Sequence, residues 1–157
     1  MANKQRKYLL AERFLKRPYI TDINIRKTKR QIQELHLLML PPGQDYTKPI
    51  VQTSVVDKST ANLDKCLDCL KKQELRLFEL QVLYAEQIDQ VNSVLDILES
   101  TNATGALILS HYYIGHVSIN DISDELNYTR VSTSRLKGKA LREVQRLLLE
   151  QPEKYDI

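Results

Sequence analysis

The chain has 157 residues, with 24 leucines, only 4 glycines and no tryptophan, and its formal net charge is +3. This glycine content is far below the ordinary ~7%; it excludes collagen-like and Gly/Ser-rich disordered chains and disfavours a doubly wound nucleotide-binding fold. No apolar run approaches the ~20 residues of a membrane span, and the basic N-terminus has no signal-peptide core, so we expect a cytoplasmic protein with no membrane partner.

Charge is distributed unevenly along the sequence. Residues 1–30 carry a formal charge of +8, residues 31–128 carry −8, and residues 129–157 carry +3. Two basic ends around an acidic middle favour contact between the ends and a polyanion. Basic ends that only keep the protein soluble are the alternative.

The first 60 residues divide into a basic segment and a linker. Residues 1–40 have a helical composition, with a break expected at Pro18. Residues 41–60 hold three of the five prolines and few apolar residues, which predicts an extended Pro-rich linker. Ser59 or Thr60 is a suitable N-cap for the helix that follows.

Residues 61–100 form the longest periodic stretch and predict a long amphipathic, coiled-coil-like helix. An apolar residue recurs every seven positions from Leu63 to Leu98, and a second, less regular row accompanies it. A seam of this kind must be buried against another surface. The segment from Ile25 to Leu40, folded back on the helix, and the same helix in a second copy of the chain are equally good candidates.

The cysteines and two of the histidines have the spacing of zinc ligands. Cys66 and Cys69 form C-x-x-C, and His111 and His116 form H-x4-H. However, 41 residues separate Cys69 from His111, and the cysteines lie within the predicted long helix. Two reduced thiols in a helix are therefore the favoured interpretation, and the sequence predicts neither a metal nor a cofactor.

Residues 101–157 predict three helices. The first runs from Ala103 to Ile114, with an N-cap at Ser100, Thr101 or Asn102 and an end at Gly115. The second covers Ile119–Leu126 after the N-cap Ser118, and the third follows the N-cap Thr129 and ends near Glu150. Asn127 tolerates the left-handed backbone that a tight joint between the last two helices needs, and Tyr128 is expected to tuck under that joint.

The third of these helices has two different faces. Its apolar stripe consists of Thr133, Leu136, Ala140, Val144 and Leu147, whereas the opposite side is basic, with no acidic residue between Thr129 and Arg142. A basic helix after a tight turn is typical of helix-turn-helix proteins that read the DNA major groove. The candidate DNA-binding residues are Arg130, Val131, Ser132, Ser134, Arg135, Lys137, Lys139, Arg142 and Arg146.

Their side chains suggest different roles. Arg130 and Arg135 can reach base edges, where Arg prefers guanine, and Val131 can meet a thymine methyl group. The remaining basic residues, Lys137, Lys139, Arg142 and Arg146, are suited to phosphates. Gly138 weakens the helix, which would be acceptable if another backbone approached closely there. A solvated basic face on an ordinary helical bundle is the alternative.

The stretch Ser118–Arg130, followed by Ala140 and Leu141, resembles region 4 of sigma-70 factors, and the similarity covers about a quarter of the chain. The sequence departs from that pattern at Ser123, Asn127 and Thr133, where alanine, glycine and an aliphatic residue are usual, and at Val131, where a charge is common. The resemblance implies a helix-turn-helix that reads promoter DNA, with contacts from Arg130, Val131, Ser132, Ser134 and Arg135.

The whole arrangement, a basic helical segment, a linker, a long helix and a sigma-4-like module, is similar to short regulators encoded by phages of Gram-positive bacteria, including the ArpU-like and RinA-like late regulators. This resemblance implies a transcription activator that works with host RNA polymerase in a bacterial cytoplasm. Sigma regions 2 and 3 are absent, so we expect no promoter melting.

Two other functions remain open from the sequence. The chain could be a helical adaptor that binds another protein through the Leu63–Leu98 seam, or a DNA-recognition subunit for phage packaging. An enzyme is disfavoured, because no Ser/His/Asp grouping, paired carboxylates or phosphate loop is present.

Overall fold

The structure, a computed structural model, describes residues 8–40 and 56–155, with the backbone alone over 56–60. Within these ranges the chain is all-α and contains no strand, as the composition predicts. The elements are α1 (Leu9–Met39), α2 (Val56–Leu109), a π-helical turn (Ser110–Ile114), α3 (Ile119–Glu125), α4 (Arg130–Glu150) and a 3-10 turn (Pro152–Tyr155). Most of the predicted linker, residues 41–55, lies outside the described residues.

The chain forms two compact units. The first combines Met1–Thr21 with Tyr84–Ile157, and the second is Asp22–Leu83. The candidate DNA-binding residues all belong to the first unit. Its core is one apolar cluster to which the start of α1, the end of α2, the π-helical turn, α4 and Tyr155 contribute buried side chains. The second unit buries Ile25, Thr28 and Leu70.

Pro18 does not break α1, and the predicted interruption is therefore wrong. A proline inside a helix removes one backbone hydrogen bond and costs about 3 kcal/mol. Here the neighbours of Pro18 hold the helix from both sides: Phe14 and Leu15 are buried before it, and Thr21 is buried after it. The Thr21 hydroxyl also hydrogen bonds the side-chain oxygen of Gln87 over 2.7 Å. Tertiary packing therefore outweighs the local preference.

The N-terminus of α2 also differs from the prediction. The helix starts at Val56, so Ser59 and Thr60 lie within its first turns and do not cap it. Five residues assigned to the linker are helical, because no Gly or Pro stands between Val56 and the periodic stretch that begins at Leu63. The helical region is therefore longer than the amphipathic pattern alone indicates.

α2 is kinked at Asn102, where the sequence predicts the start of a new helix. Asn102 has φ −149° and ψ 72°, which lie outside the helical region. Its side-chain oxygen accepts a hydrogen bond from the Gly105 backbone N–H over 2.9 Å, as an N-cap does three residues before a helical N–H. Of the three predicted candidates, Asn102 is therefore the cap.

The helix that begins at Ala103 ends where it was expected, but in a different form. Its last five residues, Ser110–Ile114, wind as a π-helix, and the Gly115 N–H donates to the Ser110 carbonyl over 3.0 Å. The left-handed residue after it is His116, with φ 55°, and not Gly115. Widened turns of this kind are uncommon and often accompany functional sites.

The predicted Leu63–Leu98 seam is buried at Leu70 and at its C-terminal end, half-buried at Leu77 and Tyr84, and exposed at Leu63. Val91, Val94, Leu95 and Leu98 belong to the core of the first unit, so this end is buried within the chain. In the second unit Leu63 is 43% exposed although Leu70 is buried. The apolar residues with the largest exposure in this part of α2 are off the seam, at Leu75 and Phe78.

Candidate nucleic-acid interface

Both helices of the candidate helix-turn-helix, α3 and α4, begin at the N-cap residues that the sequence predicts. The Ser118 hydroxyl accepts a hydrogen bond from the Asp121 N–H over 3.3 Å and donates to the Asp121 carboxylate over 2.6 Å. At α4, the Thr129 hydroxyl accepts from the Ser132 N–H over 3.2 Å. Each cap satisfies a backbone donor that the first turn of a helix leaves free. The start of α4 is therefore fixed by local chemistry.

The C-terminus of α3 is closed by a Schellman motif centred on Asn127. Asn127 has φ 55°, in the left-handed region, which confirms the prediction for this residue. The Tyr128 N–H donates to the Ser123 carbonyl over 2.9 Å, and the Asn127 N–H donates to the Asp124 carbonyl over 3.2 Å. These two bonds define the motif. They turn the chain sharply between α3 and α4.

Tyr128 does not tuck under this turn, and that prediction is wrong. Its side chain is 46% exposed. The buried residues of the joint are Ile122, Ser123 and Thr133 instead. The tyrosine is therefore a second exposed side chain at the start of α4, beside Thr129.

Ser123 and Thr133, two of the departures from the sigma-70 pattern, form one buried contact. Their hydroxyl oxygens are 2.9 Å apart. The Ser123 hydroxyl also lies 2.6 Å from the Ile119 carbonyl, and the Thr133 hydroxyl lies 3.1 Å from the Thr129 carbonyl. Both of these buried hydroxyl groups thus have partners, as buried polar groups require. A polar pair joins α3 to α4 where an apolar pair is usual.

We expect this pair to behave as a unit when it is mutated. Thr133→Val should lower the free energy of unfolding by about 1 kcal/mol, because it removes a partner from Ser123, whereas Ser123→Ala/Thr133→Val should be close to wild type. Urea unfolding of both single variants and the double variant gives the coupling energy. Additive effects would contradict the contact.

α4 buries one side and exposes the other, and the exposed side carries most of the candidate residues. Thr133, Ala140 and Val144 are fully buried, whereas Leu136 and Leu147 of the predicted stripe are half-buried; Leu141 and Leu148 complete the buried side. We call the opposite side the basic face. It consists of Arg130, Val131, Ser134, Arg135, Lys139, Arg142 and Arg146, all of which are exposed.

Two candidates lie at the edges of the basic face, not on it. Ser132 is half-buried, and its hydroxyl contacts the Thr129 hydroxyl at 2.9 Å. Lys137 is also half-buried, and its ammonium nitrogen lies 3.2 Å from the centre of the Tyr112 ring. This cation–π contact binds the Lys137 ammonium group to the Tyr112 ring. Lys137 is therefore less available to a phosphate than the exposed basic residues.

The arginines in the second half of the basic face make only weak contacts with the protein. The Arg142 Nε donates to the Gly138 carbonyl over 3.3 Å, and the Arg146 Nε lies 3.5 Å from the Glu150 carboxylate. Exposed ion pairs of this kind contribute little to stability. Both guanidinium groups can therefore turn towards a ligand at low cost.

Gly138 lies between Arg135 and Arg142 of the basic face and leaves open space there. A Cβ built on Gly138 would meet no heavy atom within 4 Å. Gly105 is the opposite case, because its Cβ would lie 2.8 Å from the Ala140 Cβ and 2.6 Å from the Asn102 amide nitrogen. Of these two glycines, Gly105 is therefore the one that packing requires.

The two glycines give a matched pair of alanine variants. Gly105→Ala should lower the free energy of unfolding by at least about 1 kcal/mol through overpacking. Gly138→Ala should raise it by up to about 1 kcal/mol, because alanine favours the helix. Thermal unfolding measures both. Equal effects of the two substitutions would contradict the close approach of Ala103–Leu109 to α4.

The position of α1 beside the basic face is not predicted by the sequence. The Ala11 N–H, in the first turn of α1, donates to the side-chain oxygen of Gln145 on α4 over 2.9 Å. The Arg142 guanidinium carbon is 6.0 Å from the centre of the Tyr8 ring. A groove lined by Tyr8, Glu12, Lys137 and Gly138 runs between the two helices. The only available signal was the apolar face of α1, which does not identify its partner.

A second groove, with aromatic walls, lies against the π-helical turn. It is lined by Tyr19, Ile20, Tyr112, His116 and Val117 among others, and the Tyr19 and His116 rings are 4.7 Å apart. Burial raises the pKa of Tyr113 well above its usual range, and the Glu12 and Tyr112 side chains add to the effect. None of the basic-face residues lines this groove.

The residues with zinc-ligand spacing belong to different units, the cysteines to the second and the histidines to the first. Cys66 is half-buried and Cys69 is exposed, and both are free thiols. His111 Nδ1 lies 3.3 Å from the Glu125 carboxylate, close enough for an ion pair but not aligned for a hydrogen bond. Over residues 8–40 and 56–155, no three His, Cys, Asp or Glu side chains are grouped as metal ligands.

The helices within the described ranges also lack the length and apolar character that crossing a membrane requires. Comparisons of the chain with protein-family models, with curated proteins and with solved structures found no match.

Proposed function

We propose that this protein is a sequence-specific, double-stranded DNA-binding transcription regulator, in which α3 and α4 act as a helix-turn-helix and α4 enters the major groove. The basic face carries this proposal. It offers five exposed cations, a valine and a serine on one side of a helix, and no acidic residue stands between Thr129 and Arg142. Such a face is favourable to phosphates and open to base edges.

The position of each side chain supports a division of roles. Arg135 and Arg130, near the N-terminus of α4, contact base edges, and Val131, which is 60% exposed, meets a thymine methyl group. Lys139, Arg142 and Arg146 bind phosphates further along the helix. The Ser132 and Ser134 hydroxyl groups donate hydrogen bonds to the DNA backbone or to a base. Lys137 takes a smaller part, because its charge is engaged by Tyr112.

The open position at Gly138 supports close approach of DNA to the helix backbone. No atom of residues 8–40 or 56–155 lies within 4 Å of the position that a Cβ would take there. A methyl group at position 138 would therefore not destabilise the fold, but it would hold the α4 backbone further from the wall of a DNA groove. The regulator, by its resemblance to the phage late regulators, activates transcription with host RNA polymerase.

The salt dependence of DNA binding tests this function directly. Binding of a labelled duplex is followed by fluorescence anisotropy at several salt concentrations. With at least three phosphate contacts, the logarithm of the affinity should fall against the logarithm of salt with a slope of about −3 or steeper. No binding at low salt would contradict the proposal and favour a protein adaptor.

A specific observation favours self-association as a second activity. Leu75, Phe78 and Val82 are exposed at helical spacing on α2, and Phe78 is 64% exposed. We propose this stripe, rather than the buried end of the Leu63–Leu98 seam, as the surface that meets a second copy or a partner helix. Light scattering distinguishes a dimer from the large discrete oligomers that a packaging subunit would form, and Phe78→Lys should shift a dimer towards monomer.

A further inference from the structure

We infer that the second groove, against the π-helical turn, is a binding site for a small aromatic carboxylate. The lining side chains that carry this inference are Lys16, Tyr19, Tyr112, Tyr113 and His116, and we call the site that they form the aromatic groove. All five belong to the first unit. The basic face of α4 does not line this groove, so the inference goes beyond the proposed DNA binding and does not depend on it.

The aromatic groove has the size and composition of a small-molecule site. Its volume is about 510 Å³, within the ~300–1,000 Å³ that is typical of such sites. The four aromatic side chains, together with Ile20 and Val117, make up most of the lining. Small-molecule sites are mostly apolar and orient the ligand through a few polar groups. In this groove, Lys16 and the Tyr113 hydroxyl can supply them.

Contacts within the first unit hold the aromatic walls in place. The Tyr112 and Tyr113 rings pack edge to face, with their centres 4.9 Å apart, and the Lys137 ammonium nitrogen lies 3.2 Å from the centre of the Tyr112 ring. The centres of the Tyr19 and His116 rings are 4.7 Å apart. Aromatic rings favour offset or edge-on packing with another ring. A planar aromatic ligand can therefore pack against walls that are already formed.

Tyr113 provides a polar group that the protein itself does not use. The residue is only 6% exposed, and its hydroxyl group has no hydrogen-bond partner among residues 8–40 and 56–155. Buried hydroxyl groups are normally paired. Burial raises the pKa of Tyr113 well above its usual range, so the phenol remains protonated and can donate a hydrogen bond. Because Tyr113 lines the groove, an acceptor oxygen of a bound ligand can be its partner.

The charge of the lining favours an anion. The lining contains the exposed cation Lys16 and, among the described residues, no acidic side chain. Two neighbouring acidic side chains lie outside it. Glu12, one turn before Lys16 on α1, lines the groove between α1 and α4, and the Asp121 carboxylate accepts a hydrogen bond from the Ser118 hydroxyl over 2.6 Å. A carboxylate attached to an aromatic ring therefore matches both Lys16 and the aromatic walls.

Isothermal titration calorimetry tests the site with three aromatic acids: benzoate, naphthoate and indoleacetate. We expect saturable binding of at least one acid to the full-length chain and weaker binding of its uncharged amide. Tyr19→Ala removes one aromatic wall and should weaken binding of the acid and the amide alike by about 3- to 10-fold. Because Tyr19 is 45% exposed, this substitution should leave the thermal stability close to that of the wild type.

Lys16→Gln tests the charge, with Arg13→Gln as the matched control. Arg13 is an exposed cation one turn earlier on α1 and does not line the groove. Lys16→Gln should weaken binding of the acid by about 2- to 5-fold and leave binding of the amide unchanged, whereas Arg13→Gln should change neither by more than about 1.5-fold. Tyr113→Phe should weaken both ligands by about 2- to 10-fold, because it removes the donor.

Three results would overturn the inference. The first is the absence of saturable binding for all three acids. The second is binding that Tyr19→Ala and Lys16→Gln leave at the wild-type level. The third is a dimer that dissociates in Tyr19→Ala, measured by light scattering, which would assign the groove to a second copy of the chain. None of these results bears on DNA binding by the wild type, which tests the proposed function separately.

Discussion

Phe14→Ala should lower the free energy of unfolding by about 3–5 kcal/mol, the largest loss among the substitutions considered for this protein. The Phe14 side chain is 1% exposed and packs edge-on against Tyr155, with the ring centres 5.6 Å apart. Arg17 places its guanidinium carbon 5.4 Å from the same ring centre. Removing the ring would leave a cavity between α1 and the C-terminal residues. Urea unfolding monitored by circular dichroism measures the loss.

Leu9→Ala is the matched control for Phe14→Ala on the same helix. Leu9 is 45% exposed, so its truncation should cost well under half as much. A Phe14→Ala protein as stable as the wild type would mean that α1 is not packed on α4 in solution.

Arg135→Ala should weaken binding to the preferred DNA sequence by about 1–3 kcal/mol, or roughly 5- to 150-fold, and should relax preference at one base pair. Arg135 is exposed on the basic face, six residues after the cap Thr129. Because it faces solvent, its removal should change the stability of the fold by no more than about 0.5 kcal/mol. Anisotropy titrations with the preferred and a scrambled duplex separate affinity from specificity.

Two further arginine variants provide comparisons for the loss of DNA affinity expected in Arg135→Ala. Arg142→Ala should weaken binding to both duplexes equally and reduce the salt slope by about 1, as expected for a phosphate contact. Arg76→Ala removes the same charge from an exposed site in the second unit and should leave binding unchanged. If Arg135→Ala resembled Arg76→Ala, α4 would not be the reading helix.

The features that the sequence predicted correctly depend on interactions between residues only a few positions apart in the chain. Ser118, Thr129 and Asn102 cap helices because a short polar side chain can reach a backbone N–H three residues later. Asn127 adopts the left-handed conformation because the turn requires it and asparagine tolerates it. The boundaries of α3 and α4 follow from these local preferences.

The features that the sequence did not predict depend on distant residues. Pro18 is helical because Phe14 and Thr21 are held by other elements, which no local pattern reports. The proximity of Tyr8 to Arg142 joins residues that are far apart in the chain. The basic side of α4 was identified from periodicity, but the engagement of Lys137 by Tyr112 depends on how the π-helical turn packs. Propensity and periodicity carry no information on such contacts.

Selection of bound DNA from a random double-stranded pool, at near-physiological salt, tests the central proposal most directly. We expect one motif to be enriched, and we expect Arg135→Ala to enrich a motif with a relaxed position. A two-fold symmetric motif would further indicate that two copies bind together. Retention of unselected sequences, with binding that disappears as salt rises, would contradict sequence-specific recognition by α4 and leave a nonspecific basic helix.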